Sequence, residues 1–230
     1  MGKCEASFGK WKKEKKMIKE CNVMIFTETW LNNNIPSSAI ELRGRSVFRA
    51  DRTAEDSGKR RGGGLCIYVN NSWCTDSTVT ESHCSVHLEY LMIKCRPFYL
   101  PREFSAIVVT AVYIPPDANA KLAMEELHAA ISKQQSTHPE GAIIVAGDFN
   151  HSNLKSVLPK FHRNVSCSTR GDKTLDQIIN FEEVDANLAN ILNHLETYQC
   201  QLDPTACVEL DIGPPEVFKG SGMEKLMLDL

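Results

Sequence analysis

The chain has 230 residues, 42% hydrophobic and 24% charged, enough for one large domain or one medium domain with appendages around a real core. A formal net charge of −3 excludes the strongly basic footprint of a tight, non-specific nucleic-acid binder and singles out no partner by itself. The charge is unevenly spread: residues 1–20 hold seven Lys and three Glu, residues 21–180 are close to balance, and residues 181–230 set ten acids against two Lys. The nine Cys are odd in number and contain no CxxC pair, so the expectation is free thiols in a reducing compartment. His83, Cys84 and His87 in "HCSVH" lack the spacing and partner pair of a structural zinc site and read as ordinary strand residues. The lysine-rich start has no apolar h-region, and no window approaches the roughly 18 apolar residues of a membrane span, which predicts neither signal peptide nor membrane segment. In that setting the N-x-S sequons at Asn70, Asn150 and Asn164 carry no meaning.

In chain order, residues 1–20 form a lysine-rich lead-in. "CNVMIF" (21–26) is a short continuous apolar run closed by the polar "TETW", the pattern of a strand covered on both faces. "GGGLCIYV" (62–69) predicts a glycine turn entering a strand. "HLEYLMIKC" (87–95) and "SAIVVTAVYI" (105–114) predict further strands, separated by Pro97 and Pro101 and closed by Pro115 and Pro116. Residues 117–135 are the clearest helix: Ala123, Leu127, Ala130 and Ile131 recur at i, i+4, i+7 and i+8 on one apolar face. A strand at 142–146 follows, then a short helix near Leu154–Leu158 and a strand at 173–179. From 181 the texture changes to an amphipathic helix (181–198) and an acidic, Pro/Gly-punctuated end. The fold class predicted is α/β (α+β), with a mixed sheet system sandwiched by helices. The domain division is a lead-in at 1–20, a main domain at 21–180 and an acidic helical or irregular tail at 181–230.

Apolar strands that carry acids are the chemical signal. "VMIFTETW" presents Glu28, "IIVAGDFN" presents Asp148, and "TLDQII" contains Asp176. Side chains alternate along an extended segment, which puts Asp148 and Asn150 on one side and Phe149 on the other. Taken alone, Gly-Asp-Phe-Asn is also a turn sequence, and Glu28 is also a solvated strand end. Carboxylates converging at strand ends are costly unless compensated, and a hard divalent cation such as Mg²⁺, holding one or two carboxylates, waters and phosphate oxygens, is the usual compensator.

The order "ETWL" (28–31), "FRADR" (48–52), "RGGGLCIYV" (61–69), "VYIPP" (112–116), "AGDFNHSN" (146–153) and "TLD" (174–176) resembles the endonuclease/exonuclease/phosphatase family. More narrowly it is similar to the apurinic-type endonuclease domains of non-LTR, LINE-like retrotransposons. The resemblance spans about residues 21–180. It implies a four-layered sandwich of two packed mixed β-sheets flanked by helices, and DNA phosphodiester hydrolysis with Mg²⁺ or Mn²⁺. Carried over by motif, Glu28 would bind the metal, Tyr113 support the scissile phosphate, Asp148 activate or position water, Asn150 orient it and bind phosphate, and Asp176 hold a catalytic histidine. Arg52, Arg60 and Arg61 would face the nucleic-acid backbone as bidentate phosphate partners, or stand in a solvated loop. Nuclear localisation follows from the same resemblance.

Two parts of the family pattern are missing: an N-terminal strand carrying a site Asn, and a terminal Ser-Asp-His motif. His194 lies on a helical pattern without the Ser-Asp pair, and His151 and His162 come in the wrong order. The expectation is therefore a fold incomplete at both ends with a non-family tail after Gln177. Its sheet edges would be open, and its DNA nicking weak or lost. A phosphatase of small phosphorylated molecules and an inactive retroelement remnant are the competing expectations.

Overall fold

The computed structural model describes residues 21–59 and 62–150, together with the backbone of three further strands, Phe161–Arg163, Asp176–Phe181 and Glu224–Leu228. The expected helices near Leu154–Leu158 and at 181–198 lie outside the described residues, as do the lead-in, Arg60, Arg61, His151 and His194. Among the described residues, ten strands form two sheets. In the first, β1 (Val23–Thr27), β2 (Arg45–Ala50), β3 (Leu65–Asn70) and β10 (Glu224–Leu228) run in the order β10-β1-β3-β2, antiparallel throughout. The second contains β4 (Asp76–Cys84), β5 (Glu89–Arg96), β6 (Ala106–Tyr113), β7 (Gly141–Asp148), β8 (Phe161–Arg163) and β9 (Asp176–Phe181), in the order β4-β5-β6-β7-β9-β8. Only β6 and β7 are parallel there, and the crossover such a pair requires is a helix, α2 (Ala120–Thr137). A one-turn helix, α1 (Ala54–Ser57), follows β2.

The apolar runs are continuous because both faces of each central strand are covered, and period 2 sorts them. Val23 and Ile25 join Leu65, Ile67, Leu91, Ile93, Val109, Ala111, Ile144 and Ala146 in the core between the sheets. Met24 and Phe26 face outward with Leu31, Ile40, Cys66 and Tyr68. On the far face of the second sheet, Tyr90, Met92, Val108, Val112, Ile143 and Val145 meet Ala123, Leu127, Ala130 and Ile131, the stripe predicted for the helix. Asn119 caps α2, its side-chain oxygen accepting the Lys121 and Leu122 N–H groups, so the helix starts three residues later than the apolar pattern alone indicates.

β2 and β4 carry no clear signal in the sequence, and no strand was expected at β8 or β10 either. All six residues of β2 are half-buried, and β4 is a sheet edge in which no residue is fully buried, so neither needs an apolar run. Within β4, His83 stacks on Tyr90 at 5.1 Å, and beyond it His87 Nδ1 accepts the Asn119 N–H at 3.2 Å. In the acidic tail, Glu224–Leu228 lies antiparallel on β1, with Val23 opposite Leu228 and Thr27 opposite Glu224. Among the described residues no helix is long and apolar enough to cross a membrane.

Candidate active site

Strand register brings four polar residues into one row of the second sheet. Glu89 pairs with Tyr113, Tyr113 with Asp148, and Asp148 with Asp176. Directly paired residues share a face. For Glu89, Tyr113 and Asp148 it is the inter-sheet face, two residues along from Leu91, Ala111 and Ala146. Phe149 packs on the opposite side with the helix cluster, as alternation requires. The Asp176 backbone is placed by this pairing, and its side chain lies outside the described residues.

The first sheet supplies the facing groups. Extended backbone would put Glu28 on the outer face with Met24 and Phe26. Its φ of 56° breaks the alternation instead; its carboxylate accepts hydrogen bonds from the Trp30 indole N–H at 2.6 Å and the Gly63 N–H at 2.9 Å, and it acts on the Tyr113 hydroxyl. Gly62, Gly63 and Gly64 all have positive φ, and a Cβ on Gly63 would sit 2.1 Å from the Arg52 side chain. Glycine is thus required for the loop to approach this closely. The Arg52 side chain is buried: its guanidinium pairs with the Glu89 carboxylate and lies 5.5 Å from the centre of the Tyr113 ring. Glu89 also accepts the Gly64 N–H at 2.7 Å. The Arg52–Glu89 ion pair and the Gly64 N–H on Glu89 therefore join the two sheets around Tyr113.

Asp148 and Asn150 are both buried, with Asp148 Oδ1 accepting the Asn150 N–H at 2.8 Å. Asn150, at φ 46°, uses its side-chain amide to donate to the Ile114 carbonyl at 2.8 Å, tying the end of β7 to that of β6. Burial pushes the Tyr113 hydroxyl well above the ordinary tyrosine range, and the carboxylates of Glu28 and Asp148 push the same way. It is a neutral donor at physiological pH. Burial also raises the Glu89 carboxyl, against the opposing pull of Arg52 and the Gly64 N–H.

Of the residues singled out in the sequence, the structure brings Glu28, Tyr113, Asp148, Asn150 and the backbone of Asp176 to one end of the sandwich. Arg52 is there too, with its guanidinium in the ion pair to Glu89 and a side chain only 6% exposed. Arg49 of the same "FRADR" block pairs with Asp51 and donates to the Asn32 and Ile35 carbonyls, which fastens the loop after β1. Sequence reasoning missed Glu89. Its signal was present, an acid opening the apolar run "LEYLMIKC", the same kind that marked Asp148.

The donor chemistry suits a hard divalent cation. Glu28, Glu89 and Asp148 are close enough to act electrostatically on one another or on Tyr113, and the described cation facing them is Arg52. Among the described residues no three carboxylate, His or Cys groups converge to cage a metal alone. Mg²⁺ needs no such cage, since one or two carboxylates suffice beside waters and phosphate oxygens.

The architecture is the α+β sandwich of two packed sheets that the endonuclease/exonuclease/phosphatase resemblance implies, with a polar cluster at one end. Solved structures share this fold. ANGEL2, a 2′,3′-cyclic phosphatase, aligns with a TM-score of 0.53 at 12% identity, over 75% of this chain and 72% of its own. TDP2 of D. rerio, humanised by 14 mutations, aligns at 0.50 and 10% identity, over 74% of this chain and 75% of its own. No protein-family profile matches the sequence, and no curated protein does.

Proposed function

We propose that the chain hydrolyses phosphodiester bonds with Mg²⁺ or Mn²⁺, in the manner of a DNA-nicking endonuclease of the retroelement type acting in the nucleus. The observation that carries this reading is the convergence of Glu28, Tyr113 and Asp148 from three strand ends of two sheets, with Glu28 close enough to act on the Tyr113 hydroxyl and Asp148 beside Tyr113 in register. Glu28 would hold the cation, which when bound polarises a phosphoryl oxygen and offsets developing charge. With the cation on Glu28, the single O–H of Tyr113 would turn to the scissile phosphate as a neutral donor, and Asp148, steadied by the Asn150 N–H, positions the attacking water or takes its proton. Asn150 fixes the strand end that presents Asp148, and Asp176 completes the row. Arg52 keeps Tyr113 in place through Glu89 and adds positive charge near the phosphate. Arg60 and Arg61, adjoining the glycine loop in sequence, are the proposed contacts to the nucleic-acid backbone.

Plasmid nicking in Mg²⁺ or Mn²⁺ tests this. Nicking should disappear in EDTA and fall at least about 100-fold in Glu28→Ala and Asp148→Ala. A wild-type rate no higher than that of the two variants would end the enzyme reading and favour an inactive relative. A second reading, hydrolysis of a small phosphate ester, is favoured by the fold shared with the 2′,3′-cyclic phosphatase ANGEL2. Release of phosphate monoester from a 2′,3′-cyclic nucleotide, with the plasmid left intact, would select it.

A further inference from the structure

Trp30 has a conformation that its own stability does not explain. Its φ is 56°, in the left-handed region where a bulky side chain is an outlier, while the residue remains 39% exposed. Gly or Asn would fit this backbone with less strain, and part of the Trp30 surface stays open to solvent. What the conformation achieves is placement. The backbone N–H donates to the Gly63 carbonyl at 2.9 Å, and the indole N–H to Glu28 Oε2 at 2.6 Å. The ring edge is thereby pinned at the carboxylate proposed to hold the metal, next to the glycine loop, where a Cβ on Gly62 would come within 3.9 Å of Nε1.

The geometry points to Trp30 as a stacking subsite for the base of a nucleotide flanking the phosphate, which rests on the phosphodiester reading of the site. An indole face beside a bound phosphate meets whatever flat group that phosphate carries. Bases inside a duplex already stack on each other, so the base that Trp30 takes is an unstacked one, from single-stranded or frayed DNA. Stacking is sequence-tolerant, because every base has a π-face. The subsite thus selects strand state and not sequence.

The test is equilibrium binding of a short fluorescein-labelled single-stranded oligodeoxynucleotide, in EDTA so that it is not cut, against the same strand with tetrahydrofuran spacers in place of bases. Trp30→Ala should weaken the base-bearing strand by about tenfold, and Trp30→Phe, which keeps a ring but lacks the indole N–H, by no more than about twofold. Neither should alter binding of the spacer strand. Equal losses in Trp30→Phe and Trp30→Ala would assign the effect to the hydrogen bond on Glu28 and overturn the stacking role. So would equal losses on both strands, or a wild-type chain that does not prefer the base-bearing strand. If the stacking pattern holds while plasmid stays uncut, the hydrolysis reading falls and the base subsite stands.

Discussion

Glu89 is buried, shares its register row with Tyr113 and Asp148, and holds both the Arg52 guanidinium and the Gly64 N–H. Removing its charge leaves the guanidinium buried without this partner, and breaking a buried pair from one side costs about 3–5 kcal/mol. Glu89→Gln should therefore lower the urea midpoint sharply. Glu89→Gln combined with Arg52→Met, which removes both charges, should recover most of the loss; no recovery would show that the pair is not what the single variant breaks. Glu89 escaped the sequence because attention to strand carboxyl ends selects Glu28 and Asp148, whereas Glu89 opens its strand. In an antiparallel pair the start of β5 lies beside the end of β6, a fact of pairing that the linear chain does not display. Asp176 likewise opens β9, and it was legible as an acid in an apolar run and through its motif.

Among the elements, β6 and β7 do most to assemble the site, because their parallel register sets Tyr113 against Asp148. Gly147 permits that approach: a Cβ there would lie 1.9 Å from the Val112 carbonyl oxygen. Neither strand can move away without opening a core that is closed on both faces. Gly147→Ala should destabilise the chain by about 3 kcal/mol, and nicking should fall even where the variant is fully folded, because Asp148 is displaced. Denaturation and nicking measured on one preparation check both, and an alanine variant with unchanged stability would refute the close-packing account. The buried strands could be read directly from their apolar runs, as could α2 from its stripe. By contrast β2 and β4, without full burial, had no such imprint to leave.

Across the whole molecule, three apolar layers enclose the two sheets, and they take thiols as ordinary hydrophobes. None of the described cysteines, Cys21, Cys66, Cys74, Cys84 and Cys95, is in a disulfide. Burial pushes the thiols of Cys66 and Cys95 up to about 12 from 9.0. The folded state then keeps a proton that the unfolded chain has lost. These two groups leave stability unaffected below about pH 9, and stability falls as pH rises from about 9 towards 12. The urea midpoint should be lower at about pH 10.5 than at about pH 8, and Cys66→Ala with Cys95→Ala should make that decline shallower. A decline of equal slope in the double variant would place its cause elsewhere.

The sequence by itself determined the layered α+β plan, because strands covered on both faces must be written as unbroken apolar runs and a covering helix as a stripe. It also determined which way Asp148 and Phe149 point, since extended backbone alternates. Only the tertiary structure decided that Glu28 turns inward, because a left-handed residue ends the alternation that would have sent it outward. It also decided that Glu89 belongs to the cluster and that Arg52 is held inside it, since strand pairing and burial join residues far apart in the chain.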